Sequence, residues 1–154
     1  MGVAGLVIRK AREGDVPAIA AVLSDDTVGG HGHSIAPQHL PAYLAAFARI
    51  AASGNDRLYV AELDGEVVGT FQTTLITVMS NEARPDMTIA AVHVRAARRG
   101  QGIGAAMIGF AIAEARRLGV RLVQLSSNKA RVDAHRFYER LGFARSHLGF
   151  KMKL

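Results

Sequence analysis

The chain has 154 residues, 49% of them hydrophobic, with 19 Lys and Arg against 13 Asp and Glu and a formal charge of +6. The apolar fraction excludes a disordered chain, and the length predicts a single domain over residues 1–154. The absence of cysteine excludes disulfides, a cysteine nucleophile and thiolate metal ligands. No apolar run approaches the roughly 18 residues that span a bilayer, and residues 1–10 lack a signal-peptide pattern. We therefore expect a cytoplasmic protein that has no membrane partner.

The hydrophobic periodicity predicts an α/β chain with a mixed sheet, in the order β-α-α-β-β-β-α-β-α-β(-β). Asp15 is a plausible N-cap with Pro17 in the first helical turn, and Asp64-Gly65 is a favoured hairpin turn. In chain order, the predicted elements are a strand at Leu6–Lys10, a helix from Asp15 through Leu23, a loop at Asp25–Ile35, a helix at Pro37–Ser53, strands at Arg57–Leu63, at Glu66 to about Val78 and at Met87–Val94, a helix at Gly102–Leu118, a strand at Val120–Leu125, a helix at Asp133–Leu141 and short strands ending near Leu154.

The positive charge is concentrated in one part of the chain. Residues 95–140 hold ten Lys and Arg and three Asp and Glu, whereas the remaining residues hold nine and ten. Such a concentration favours either a nucleic acid or one compact polyanion as the partner. Nucleic-acid binding modules stack bases on aromatic side chains, and this chain is only 6% aromatic with no tryptophan. We therefore expect a small polyanion and no nucleic acid.

A basic, glycine-rich turn between a strand and a long helix is the most informative segment. Gly100, Gly102 and Gly104 let the backbone approach an anion closely, and three arginines precede or flank them. Unpaired amides at a helix N-terminus bind phosphate groups. The spacing does not match the dinucleotide-binding fingerprint or the Walker loop.

Two motifs carry a resemblance to a known family. Residues 99–104 (RGQGIG) resemble the Arg/Gln-x-x-Gly-x-Gly/Ala signature of the GCN5-related N-acetyltransferases, and residues 134–143 (AHRFYERLGF) are similar to that family's Ala-x-x-Phe-Tyr-x-x-x-Gly-Phe segment. The resemblance covers nearly the whole chain, and residues 124–154 look particularly like the aminoalkylphosphonate and related bacterial small-molecule N-acetyltransferases. It implies the family's fold and transfer of the acetyl group of acetyl-CoA, through a ternary complex, to a primary amine of a small molecule.

The resemblance also implies roles for particular residues. Tyr138 would give a proton to the departing CoA sulfur, and the main chain of Val92 and Val94 would pair with the pantetheine arm. Lys129, Arg98 and Arg136 are candidate contacts to the ribose phosphate. The residues implied to hold the cofactor are Val92, Val94, Arg99, Gly100, Gln101, Gly102, Ile103, Gly104, Asn128 and Arg131.

The general base is where the sequence departs from the family pattern. Many relatives carry a glutamate near positions 90 and 91, which are alanines here. His93 lies two residues beyond Ala91, hence on the same face of a regular strand, and its imidazole can accept the amine proton. His31, His33, His39 and Glu82 are rivals, and so is a chain of waters.

Several alternatives stay open at this point. The two histidines of His31-Gly-His33 are too weak a pattern to predict a metal site, so we expect no metal ion. We expect that segment, and also His147, to border the acceptor site instead. A protein or peptide acceptor is the alternative to a small molecule, and a non-catalytic acyl-CoA-binding domain is the alternative to an enzyme. Homodimers are common in such families, although nothing in the sequence marks an interface.

Overall fold

A computed structural model describes residues 2–26 and 35–154. These residues form two compact units, Met1–Gln124 and Leu125–Leu154. The single domain expected over residues 1–154 stays a prediction. The first unit holds most of a mixed five-stranded sheet together with three helices, and the second contains one helix.

The regular elements follow the predicted order as far as the last helix. The strands are β1 Leu6–Lys10, β2 Asp56–Leu63, β3 Glu66–Ile76, β4 Asp86–Val94 and β5 Leu122–Leu125, and the helices are α1 Val16–Ser24, α2 Leu40–Ala52, α3 Ile103–Arg117 and α4 Val132–Arg140. Asp15 does precede α1, but its carboxylate accepts from the backbone N–H of Arg12 at 2.7 Å instead of capping that helix.

The strands lie in the order β1-β2-β3-β4-β5, and the first three pairings are antiparallel. The predicted hairpin turn is confirmed, since Asp64 and Gly65 both have positive φ, at 52° and 78°. At the start of β4, Oδ1 of Asp86 accepts a hydrogen bond from Nη2 of Arg121 at 2.9 Å. The backbone N–H of Arg121 donates to the carbonyl oxygen of Pro85 at 2.9 Å, which places β5 beside β4.

Helices cover both faces of the sheet. On the face toward α3, the rings of Tyr59 and Phe71 stack with centroids 4.9 Å apart, and Phe110 of α3 meets Tyr59 edge-on at 5.2 Å. On the other face, α1 buries Val16, Ile19, Ala20 and Val22. By contrast, no residue of α2 is fully buried. No helix of the described residues combines the length and the apolar character that crossing a membrane requires.

The strands predicted beyond Leu141 are wrong. Residues 143–154 have no regular secondary structure, although Leu148, Phe150, Met152 and Leu154 alternate with other residues as in a strand. Each of these four side chains is at least 85% exposed. An isolated strand has no ladder to satisfy its backbone, and after the end of β5 the second unit contains only α4 as a regular element.

Candidate active site

A β-bulge interrupts β4 where the catalytic residues are expected. Thr70 of β3 lies opposite His93 and Gln72 lies opposite Ala90, so Ala91 and Val92 together oppose one residue, Phe71. Ala91 adopts a left-handed φ of 51°, which costs a non-glycine residue roughly 1–2 kcal/mol. Bulges redirect side chains near functional sites. Strict alternation along β4, on which the sequence-based placement of His93 relied, therefore does not hold here.

His93 nevertheless lies on the face that α1 covers. Directly opposed residues of antiparallel strands point to the same face, and Thr70, the partner of His93, points toward α1 and α2. Nδ1 of His93 lies 3.7 Å from Oδ2 of Asp26, just beyond the end of α1. The side chains are 15% and 4% exposed. The structure thus pairs a candidate base with a buried carboxylate.

Asp26 is a residue that sequence reasoning missed. It stands 67 positions before His93, and no spacing rule connects the two. The only local signal is an acidic pair, Asp25-Asp26, that follows an apolar helix and precedes the Gly- and His-bearing loop.

The segment between β4 and α3 forms an open turn. Ala96–Arg98 makes one turn of 3-10 helix, and Gly100 and Gly102 have left-handed φ values of 77° and 86°. A Cβ added at Gly100 would meet no atom within 4 Å. The first amides of α3 have no partner within the helix, so this turn has the backbone geometry and the space to hold an anion such as a pyrophosphate.

Asp25 ties this turn to the end of α1. Its Oδ2 accepts from the backbone N–H of Ala96 at 3.0 Å and lies 3.7 Å from Nε of Arg95. Arg99 donates through Nη2 to the carbonyl oxygen of Asp25 at 3.4 Å and through Nε to that of Val94 at 3.3 Å. The guanidinium of Arg99 therefore fastens the turn to its neighbours, whereas the sequence suggested only a contact with the cofactor.

In the second unit, Asn128 and Arg131 lie at the start of α4, and Tyr138 lies in its last turn. The backbone N–H of Arg131 donates to the carbonyl oxygen of Asn128 at 2.9 Å, and Oδ1 of Asn128 accepts from the N–H of Ala130 at 2.9 Å. The Asn128 side chain therefore shapes the turn before α4.

Tyr138 packs among aromatic rings of the same unit. The centroid of its ring lies 5.1 Å from that of Phe137 and 5.9 Å from that of Phe143, both edge-on. Burial raises the pKa of the Tyr138 phenol, while the positive charge of Arg131 acts in the opposite direction. The phenol is therefore protonated at neutral pH, as a proton donor must be.

A cavity of about 140 Å³ lies between α1, α2 and the sheet. Among the residues that the structure describes, no charged side chain lines it. The walls are Val16, Ile19, Leu23, Tyr43, Ala46, Phe47, Ile50, Leu58, Thr70, Gln72 and Ala91. Ala91 belongs to the bulge and Thr70 opposes His93, so the cavity adjoins the candidate base.

The other candidate residues have different surroundings. His31 and His33 lie outside the described residues. His39 is exposed at the residue before α2, and Glu82 is exposed in a loop with a φ of 61°. Nδ1 of His147 lies 2.7 Å from the hydroxyl oxygen of Ser146 in the second unit. Within residues 2–26 and 35–154, no group of three or more His, Cys, Asp or Glu is arranged to hold a metal ion.

Known proteins resemble this chain in sequence and in fold. The model of the acetyltransferase (GNAT) family matches residues 16–143. The aminoalkylphosphonate N-acetyltransferase of Salmonella typhimurium is 35% identical over 113 residues, which are 73% of each chain. A crystal structure of a transcriptional regulator from Bacillus halodurans C-125 superposes with a TM-score of 0.92 at 38% identity and covers 97% of this chain and 99% of that one. A predicted acetyltransferase from Clostridium acetobutylicum, solved with acetyl-CoA, shares the fold with a TM-score of 0.73 at 16% identity, covering 96% of both chains.

Proposed function

Since the chain belongs to the GNAT family and is an acetyl-CoA-dependent N-acetyltransferase, we propose that it acetylates the primary amine of a small molecule in the cytoplasm. The observation that carries this proposal is the position of His93. It is one residue from the end of β4, beside a partly open, apolar cavity of small-molecule size and directly before the glycine-rich turn. A candidate base, an acceptor cavity and an anion-binding turn are therefore contiguous.

The turn is suited to hold the pyrophosphate of acetyl-CoA. Gly100 and Gly102 supply the left-handed backbone that exposes amides, and the space around Gly100 is open. The backbone amides of Gln101, Gly102, Ile103 and Gly104 are the groups we assign to the pyrophosphate, and Val92 and Val94 are the positions we assign to the pantetheine arm. Acetyl-CoA supplies the acetyl group as a thioester. Asn128 and Arg131 remain candidates for contacts with the same molecule.

His93 is the residue that we assign as general base. An alkylammonium has a pKa near 10, so the amine must lose a proton before it attacks a thioester. The imidazole accepts that proton directly or through a water molecule, and Asp26 holds the ring in position and stabilises its protonated form. Asp26 is thus a positioning residue rather than a catalytic one.

Tyr138 is the residue that we assign as proton donor to the departing thiolate. Its raised pKa keeps the phenol protonated, and its ring is held by Phe137 and Phe143. This role rests on the match of residues 134–143 to the family motif.

A screen for release of free CoA tests the function. Acetyl-CoA is held constant while amino acids, aminoalkylphosphonates, polyamines, aminoglycosides and short peptides are supplied in turn. Release with small amines supports the proposal, and release with peptides alone favours a protein acceptor. Binding of acetyl-CoA without any release favours a non-catalytic domain. Nanomolar binding of duplex DNA that weakens steeply with salt would favour a regulator that binds nucleic acid.

A further inference from the structure

We propose that the acceptor amine carries an uncharged, apolar body, such as an aryl or branched alkyl group, which fills the cavity between α1, α2 and the sheet. This inference rests on the proposed function and specifies its substrate class. It departs from what the name of the Salmonella typhimurium relative indicates, because a phosphonate is an anion.

The wall of the cavity is almost entirely apolar. Nine of the eleven lining residues are aliphatic, alanine or aromatic, and the other two are Thr70 and Gln72. The hydroxyl of Thr70 donates to the carbonyl oxygen of Tyr59 at 2.9 Å, and the Gln72 amide and the Tyr43 phenol are the other polar groups of the wall. The wall therefore offers an occupant few polar groups and, among the described residues, no charged one. A phosphonate or a sugar placed here would lose its hydration for few replacement hydrogen bonds and no compensating charge.

The side chains of α2 that face the cavity are only partly buried. Tyr43, Phe47 and Ile50 repeat at helical spacing and face the cavity, yet none of them is fully buried. An apolar group in the cavity would remove this stripe from water, and the burial of apolar surface favours the complex. The volume of about 140 Å³ is close to that of a dry, apolar cavity of roughly 150 Å³ that binds benzene.

The cavity lies next to the candidate base. Ala91 of the bulge lines it, and Thr70, another wall residue, lies directly opposite His93. An amine attached to a group in the cavity therefore has a short path to the imidazole. The carboxylate of Asp26, 3.7 Å from that imidazole, attracts an ammonium group and repels an anion at the same end of the substrate.

The experiment compares 2-phenylethylamine with 2-aminoethylphosphonate, which share one aminoethyl arm and differ only in the body attached to it. We expect kcat/KM, measured by CoA release, to be at least tenfold higher for the phenyl compound. Ethylbenzene, which has no amine, should raise the Tm of the protein and inhibit competitively against the amine. Equal or better turnover of the phosphonate would overturn the inference and leave the acetyltransferase function intact. No release with any amine would overturn both.

Two variants on neighbouring positions of α2 localise the effect. Ala46 lines the cavity, whereas Ala45 is exposed on the same helix. Ala46→Leu should fill part of the cavity and lower kcat/KM for 2-phenylethylamine at least tenfold. Ala45→Leu should leave kcat/KM for the same amine unchanged. The Tm shift caused by ethylbenzene is measured for the wild type and for both variants, and it should be lost in Ala46→Leu alone. An equal shift in both variants would contradict the assigned position.

Discussion

Nδ1 of His93 on β4 lies 3.7 Å from Oδ2 of Asp26 at the end of α1, and both side chains are largely buried. The neighbouring carboxylate, Asp25, faces the glycine-rich turn instead and accepts from the backbone N–H of Ala96. Two consecutive acidic residues therefore act on two different parts of the site. Substitution of Asp26 should affect the chemical step, and substitution of Asp25 should affect the binding of acetyl-CoA.

His93→Ala should lower kcat about 100-fold, because a positioned base contributes roughly 10²–10⁴-fold to proton transfer. Its pH–rate profile should also lose the acidic limb of the wild type. Asp26→Asn keeps the shape of the side chain and removes its charge, and we expect kcat to fall about tenfold with an unchanged KM for acetyl-CoA. A His93→Ala profile with the wild-type acidic limb would exclude His93 as the base.

Asp25→Ala should affect binding rather than chemistry. It removes the acceptor for the Ala96 amide and the partner of Arg95, so the turn loses a charge-assisted hydrogen bond. We expect KM for acetyl-CoA to rise about tenfold with kcat nearly constant, since one such bond contributes roughly 1.5–3 kcal/mol. Steady-state kinetics with acetyl-CoA varied at saturating amine measure this, and a fall in kcat alone would contradict it.

Tyr138→Phe should lower kcat at least about tenfold while the affinity for acetyl-CoA changes little. The variant keeps the edge-on contacts with Phe137 and Phe143, so an effect on folding is not expected and Tm serves as the control. Because burial raises the pKa of Tyr138, the phenol of the wild type holds its proton to a higher pH than a free tyrosine does. An unchanged rate, with chemistry shown to be limiting, would remove the assigned role.

Two glycine substitutions should change stability in opposite directions. A Cβ at Gly69 would lie 2.8 Å from Sδ of the buried Met107 and 3.2 Å from the carbonyl oxygen of His93, so Gly69→Ala should destabilise the chain by about 1–3 kcal/mol. Gly109 is exposed within α3 with open space around it, so Gly109→Ala should stabilise it by up to about 1 kcal/mol. Urea unfolding measures both, and loss of stability in Gly109→Ala would contradict the helical assignment.

The ion pair between Arg9 and Asp15 should make the free energy of unfolding depend on pH in the acidic range. Arg9 donates to Asp15 through Nη1 at 2.7 Å and through Nη2 at 2.9 Å, and these bonds are the main cause that lowers the pKa of Asp15. Their contribution is fully present above the ordinary pKa of about 4 and is lost as the pH falls through the lowered value. Asp15→Asn should cost about 1 kcal/mol at pH 7 and much less at pH 2. Glu13→Gln, an exposed neighbour, controls for the loss of one charge, and equal losses at both pH values would contradict this linkage.

The parts of the site that local signals specify could be predicted from the sequence. The spacing of Gly100 and Gly102 before an apolar helix predicts the turn, because each glycine supplies a backbone conformation that other residues avoid. The hairpin at Asp64 and Gly65 follows from the same principle. The family motif around Tyr138 likewise predicts α4.

Features that depend on tertiary packing could not be predicted in this way. The bulge in β4 has no glycine to mark it, because Ala91 itself adopts the left-handed conformation. The pairing of Asp26 with His93 joins positions 67 residues apart. The cavity exists because α2 packs incompletely on the sheet, whereas its hydrophobic pattern alone predicts a buried face.

The void beneath α2 also has a consequence for the volume of the folded protein. A cavity of about 140 Å³ is eliminated on unfolding, so the unfolded chain occupies less volume and hydrostatic pressure favours it. An occupant of the cavity removes part of that volume difference. The chain should therefore withstand higher pressure with its acceptor bound than without it, and its compressibility should fall as the site is filled.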